Sequence, residues 1–263
     1  MGKAKQDKKL DAKRSKLNAK TGYGPKSAIL VTLSIYFGTQ ILAGILVGLV
    51  LYAIGKTPEE ITNLANDSVF VGFGYILLVE AFSLWFLWWF LKYRKISFKE
   101  IGLKKPSVEN ILYALPAYAV YFVILFAAFT ILKGLTSINT EQEQQVAFES
   151  VSGALPLVLV FISLVILPAL VEEIMIRGFL YSGLVKKYSK RISAVIASVI
   201  FAIAHLQLGS GEPPLWIAAV DTFILSMVLI YLRELTGSIW AGVVVHIIKN
   251  SFAFIGLFIL RIA

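Results

Sequence analysis

Three ionisable side chains, Glu172, Glu173 and Arg177, stand inside the apolar run from Leu155 to Val185. A charged group near the centre of a membrane-spanning helix costs roughly 2.5–3.5 kcal/mol, so such residues face a protein interior or a wet cavity and pair with something. Residues four apart share a helix face, which lets Glu173 pair with Arg177. Glu172 is turned about 100° from Glu173 at 3.6 residues per turn and has no partner on its own helix. Glu172 is therefore the candidate for chemistry, and its partners must come from elsewhere in the chain.

The chain has two histidines, His205 and His246, and the apolar patterning places both inside helices. One such histidine is ordinarily a core residue bonded to backbone. Two of them beside a Glu-Glu-Arg cluster point to a site. Counting about 1.5 Å per residue from each basic boundary puts Glu172 and His205 about 20 Å deep, Asn250 about 18 Å and His246 about 12 Å. Asn250 follows His246 by four residues and shares its helix face. All of these groups can meet in one cavity near the bilayer midplane.

The elements that must position them are membrane helices. The chain of 263 residues is 58% hydrophobic with a mean hydropathy of +0.78, well above the 45–50% apolar content usual for soluble domains. It contains no cysteine, which excludes disulfides, thiolate nucleophiles and cysteine-bound metal. The formal net charge is +9, and residues 1–26 carry nine Lys and Arg against Asp7 and Asp11. That tail is expected to be disordered and cytoplasmic, with affinity for anionic headgroups. Nucleic-acid binding is not expected, because no aromatic or folded motif accompanies the lysines. The tail is too long and polar for a secretory n-region, and Ala28 to Ile54 is too long for a signal-peptide core, so a retained first helix is expected.

The apolar runs predict an all-α polytopic bundle of about seven spans: 28–54, 69–91, 111–132, 155–185, 192–208, 215–232 and 238–260. The first contains Gly44-x-x-x-Gly48, a pattern for close helix packing. The second holds a lone Glu80, read as a structural or cavity-facing residue rather than a proton relay, and ends in an aromatic belt of Trp85, Trp88 and Trp89. Residues 92–110 read as a basic interfacial segment, and Thr140 with Glu143 as a capping box in an acidic loop. Pro168 falls four residues before Glu172, where its ring removes a helical hydrogen bond and opens a kink. Lys and Arg are rich in the tail and at 92–110 and 186–191, and poor in the intervening connections. By the positive-inside rule this places the N-terminus in the cytoplasm of a multi-pass cell-membrane protein.

Glu172-Glu173-x-x-x-Arg177, Phe201-x-x-x-His205 and His246-x-x-x-Asn250, in that order on successive helices, resemble the CPBP family of intramembrane proteases. That family, also called the Abi or CAAX-protease family, includes the type II CAAX prenyl endopeptidases. The stretch from Leu232 to Trp240 is similar to the family's lead-in to its last motif. The resemblance spans about residues 155–255. It implies a protease core at 155–263 formed by the last four spans, which follows the tail at 1–26 and the N-terminal transmembrane helices and loops at 27–154 that charge and apolar runs mark out.

The resemblance further implies a peptide-bond hydrolase acting on a membrane-associated protein or peptide, with or without a lipid group. Glu172 and His205 would activate water, while His246 and Asn250 stabilise the oxyanion. Those residue types suit the roles: a carboxylate withdrawn from water is a better base, and a carboxamide or imidazole donor suits a developing oxyanion. Glu173 with Arg177 would shape the cavity. No cofactor is favoured, but Glu172, His205 and His246 also compose a possible His2Glu zinc site with an open position, although no HExxH is present. A catalytically silent membrane partner, such as a bacteriocin-immunity or secretion-accessory protein, is the alternative function. Transport is disfavoured, since no inverted repeat of broken helices is evident.

The charge pattern makes a testable prediction about orientation. Single cysteines placed at Lys99 or Lys187 in this cysteine-free chain should resist a membrane-impermeant thiol reagent in intact cells. Labelling from outside would overturn the orientation.

Overall fold

The computed structural model describes residues 22–135, 148, 151–207 and 213–261. The expected disorder of the tail through residue 21, and the capping box of Thr140 and Glu143, lie outside the described residues. All regular structure among the described residues is helical.

Helix α1 spans Pro25–Ala53, with proline in its first turn, where no backbone N–H is required. A short helix α2, Pro58–Asp67, starts at a reciprocal capping box of Thr57 and Glu60. Helix α3, Val69–Arg94, is capped by Ser68 and ends at Lys95 in the left-handed conformation. Helix α4 is Val108–Leu135. Helix α5, Ala154–Leu184, is one long helix with π-helical turns at Ile162–Ile166 and Glu173–Leu180. Helix α6 is Lys190–Ala204, and α7, Trp216–Thr236, stops at Gly237 with φ 64°. Helix α8, Trp240–Leu260, becomes π-helical from Ile255.

Six of these helices, α1, α3, α4, α5, α7 and α8, are long and apolar enough to cross a membrane, and the chain is a multi-span membrane protein. About seven spans are expected, and among the described residues six reach this length. The difference falls on α6, whose 15 residues extend about 22 Å against an apolar bilayer core of roughly 30 Å. It ends at Ala204, so His205 occupies a turn at the helix terminus and not a helix interior. Non-helical backbone at such depth is tolerated where it is buried in protein or lines a cavity.

Helix α5 lies at the centre and packs against α1, α3, α6, α7 and α8. Its last turns enter the core, with Phe179, Leu180 and Leu184 fully buried. Tyr23 closes over them: its ring stacks on Phe179 at 4.4 Å, and its hydroxyl donates to the Phe179 carbonyl at 2.7 Å. Helix α4 is the opposite case. Its residues Leu112, Phe122, Val123 and Phe126 are more than half exposed, as expected of a helix facing lipid.

The basic segment after α3 turns inward more than the interfacial reading implies. Ile101 is buried beneath the bundle, and Gly102 accepts the Ile239 N–H at 3.1 Å. The Lys104 carbonyl accepts the indole N–H of Trp240 at 2.5 Å. The segment thereby ties α3 to the start of α8.

A prediction follows from the α1–α5 contact. A Cβ on Gly183 would lie 2.4 Å from the Ala28 Cβ and 2.6 Å from a Tyr23 ring carbon, so Gly183→Val forces the helices apart. Overpacking of this kind costs about 1–3 kcal/mol. Detergent-solubilised Gly183→Val should unfold at a lower temperature than wild type in a thermal scan, and an unchanged midpoint would contradict the packing.

Candidate active site

The site is built on the π-helical turn of α5. Glu173 and Arg177 have no solvent exposure, and the guanidinium Nη1 lies 2.8 Å from Glu173 Oε1. The other face of Arg177 rests on the Phe201 ring of α6, 4.4 Å from its centroid. Glu173 Oε1 also accepts the Nδ1–H of His246 on α8 at 3.2 Å. Helix α8 can come this close because Gly242 faces the carboxylate: a Cβ there would sit 2.8 Å from Glu173 Oε2. One buried ion pair thus fixes α5, α6 and α8 together.

Glu172, one residue earlier, points elsewhere. Its side chain is 27% exposed and its Oε2 is 3.8 Å from His246 Nε2. His205 is held at the end of α6 by its own helix. Its backbone N–H bonds to Ala202, and its ring Nδ1–H donates to the Phe201 carbonyl at 2.8 Å, a group the ended helix leaves free. Phe201 packs edge-on against both imidazoles, with centroids 4.6 Å from His205 and 6.4 Å from His246.

The proline of α5 has a direct part in the geometry. Helical bonding would give the Leu164 carbonyl the N–H of residue 168, and Pro168 has none. Asn250 on α8 donates to that carbonyl through Nδ2 at 3.1 Å. The π turn just before it, with the Leu167 N–H bonded five residues back to Ile162, accommodates the ring. The carboxamide is therefore fixed by a break in α5, and its second N–H remains.

Glu172, His205, His246 and Asn250 all line one cavity of about 180 Å³. Glu172 and Phe201 also line a second, more apolar cavity of about 440 Å³ between α1, α3, α5 and α6. Glu80 faces this second cavity, with Tyr36, Gln40 and Ser83. Glu172 stands between the two.

Tautomers follow from the acceptors. A carbonyl and an ion-paired carboxylate can only accept, so both Nδ1 atoms carry hydrogen, and both neutral imidazoles present a lone pair at Nε2. Two such nitrogens and a carboxylate are chemically suited to zinc. Among the described residues, however, no three His, Cys, Asp or Glu side chains converge closely enough to hold an ion. As placed, they do not fit a metal, and no step is routed through one.

Three further residues adjoin the site without belonging to any of the recognised motifs. Lys249 lines the small cavity, its Nζ is 3.1 Å from Asp221 Oδ2 on α7, and Asp221 also accepts the Tyr121 hydroxyl from α4. Asp221 and Lys249 are charged residues inside apolar spans. That placement is the signal by which the sequence marks them.

Residues 154–252 match a protein family described as "Rce1-like: Type II CAAX prenyl endopeptidase Rce1-like". A curated protein of Bacillus subtilis (strain 168), carrying the name "Putative membrane peptidase YdiL", is 31% identical over 157 residues, 59% of each chain. The present chain thus spans about three-fifths of that relative's length. No solved structure matches.

The buried pair makes a prediction about folding. Removing one partner strands a charge at a cost of about 3–5 kcal/mol, so Glu173→Ala and Arg177→Ala should sharply lower the yield of monodisperse protein. Glu172→Gln, at a cavity wall, should not. Equal yields for all three on size-exclusion chromatography would refute this division.

Proposed function

We propose that the chain, whose residues 154–252 match the Rce1-like family of type II CAAX prenyl endopeptidases, is an intramembrane endopeptidase using water activated by Glu172. The observation that carries the proposal is the convergence of Glu172, His205, His246 and Asn250, from three helices, on one small cavity.

Water bound between the Glu172 carboxylate and the Nε2 lone pair of His205 has two acceptors for its hydrogens. Glu172 takes one proton as the oxygen attacks the peptide carbon, and the carbonyl electrons move onto oxygen. The free N–H of Asn250 is the donor for that oxyanion. His246 Nε2 can receive the proton from Glu172, and the resulting imidazolium is stabilised by Glu173 at its Nδ1. In this form His246 is a donor as well, so its oxyanion role arises only once charge has developed. Collapse breaks the C–N bond, and the leaving amine takes the proton.

Substrate is a membrane-associated protein or peptide, with or without a lipid group. The apolar cavity that adjoins Glu172 supports a hydrophobic portion lying next to the scissile bond. The N-terminus is cytoplasmic in this reading. The Lys- and Arg-rich connections at 92–110 and 186–191 support that orientation.

Purified protein in liposomes should cleave a membrane-anchored peptide in the presence of a strong chelator, and Glu172→Gln should lower kcat by at least about 100-fold. Cleavage lost to chelator and restored by zinc would overturn the metal-free mechanism. Equal turnover by wild type and Glu172→Gln would overturn the assignment of the base.

A further inference from the structure

We propose that Lys249 is a catalytic residue, an ammonium held by Asp221 and Tyr121 so that it stabilises the oxyanion together with Asn250. This rests on the hydrolytic reading above and adds a group that none of the three motifs contains.

The need arises from the donor inventory of the small cavity. Peptide hydrolysis develops a full negative charge on the carbonyl oxygen, in a site that already holds the Glu172 carboxylate. Both imidazoles begin with Nε2 lone pairs facing inward, since their Nδ1 hydrogens are committed to Glu173 and to the Phe201 carbonyl. Arg177 is fully enclosed, paired with Glu173 and covered by Phe201. Among the described residues lining this cavity, Lys249 is the one cation.

Its placement is built rather than incidental. Lys249 follows His246 by three residues, so the two lie on neighbouring positions of one α8 face. Its side chain is 26% exposed, and Asp221, 16% exposed, takes one of its three hydrogens. The second oxygen of Asp221 accepts the Tyr121 hydroxyl. Helices α4, α7 and α8 each give one side chain to this arrangement, which leaves two ammonium hydrogens for a ligand. A preorganised donor of this kind counts most where water is excluded and no reorganisation is needed as charge develops.

The step balances without proton transfer from lysine. Water oxygen bonds to the carbonyl carbon while Glu172 accepts the proton. The π electrons settle on oxygen against Lys249 and Asn250, and they return as the C–N bond breaks and the amine is protonated.

Two measurements on the full chain in detergent with chelator test this. Lys249→Met should lower kcat about 100- to 1000-fold with KM within a few-fold, the pattern of a lost oxyanion donor. Because that variant leaves Asp221 without its cation, Asp221→Asn with Lys249→Met removes both charges and should be equally slow while unfolding at a temperature near wild type. A double variant restored to wild-type turnover would reduce the pair to an interhelical staple and overturn the proposal. The second measurement needs no turnover. A phosphinic peptide, anionic and tetrahedral, should bind wild type far more tightly than a neutral ketomethylene peptide of the same side chains, and Lys249→Met should erase that difference. Equal discrimination by Lys249→Met would defeat the role assigned to Lys249. Turnover surviving in Glu172→Gln would instead defeat the assigned base, leaving the Lys249 result to be judged by the phosphinic peptide.

Discussion

The arrangement depends on one fully buried ion pair. Glu173 and Arg177 on α5 cost several kcal/mol per ion to remove from water, and this is offset only where geometry and extra hydrogen bonds are good. Their partners meet that condition: His246 donates to Glu173 from α8, and the guanidinium carbon lies 4.4 Å from the centre of the Phe201 ring of α6. The same contacts that neutralise the pair also orient one imidazole and pack the other. Positioning of the site and satisfaction of the buried charges are a single set of interactions.

Much of this was legible in the residues. The i,i+4 spacing of Glu173 and Arg177 gave their pairing, and the isolation of Glu172 on its own helix gave its separate direction. Helix existence and the all-α class followed from composition and apolar runs. The apolar run at 192–208 forms only the short α6, because hydropathy does not register where helical bonding stops. The apolar pattern continues through Leu206 and Leu208 after the helical bonding has ended at Ala204. The capping box of Thr57 and Glu60, beside Pro58, starts α2 in a connection where the apolar runs predict no element.

Other features were out of reach for physical reasons. Pro168 announced a break in α5, but which side chain would satisfy the freed carbonyl depends on how α8 packs. Asn250 answers that only in three dimensions. The link of Tyr121, Asp221 and Lys249 joins residues up to 128 positions apart in the chain. No local periodicity connects them. Only their charge within apolar helices sets two of them apart.

The π turns of α5 have a consequence for how this protein can vary. A π turn is an α-helix carrying one surplus residue, absorbed without leaving the helix. Deleting a residue between Ile162 and Ile166 would let the helix relax to ordinary winding. Everything beyond would then rotate by about 100°, carrying Glu172 off its cavity wall and Glu173 away from His246. The helix holds its reacting face by residue count, so substitutions in this apolar stretch are tolerable where a change of length is not. A family of such chains should therefore diverge freely in composition here while keeping the number of residues between the freed carbonyl and the paired glutamates constant.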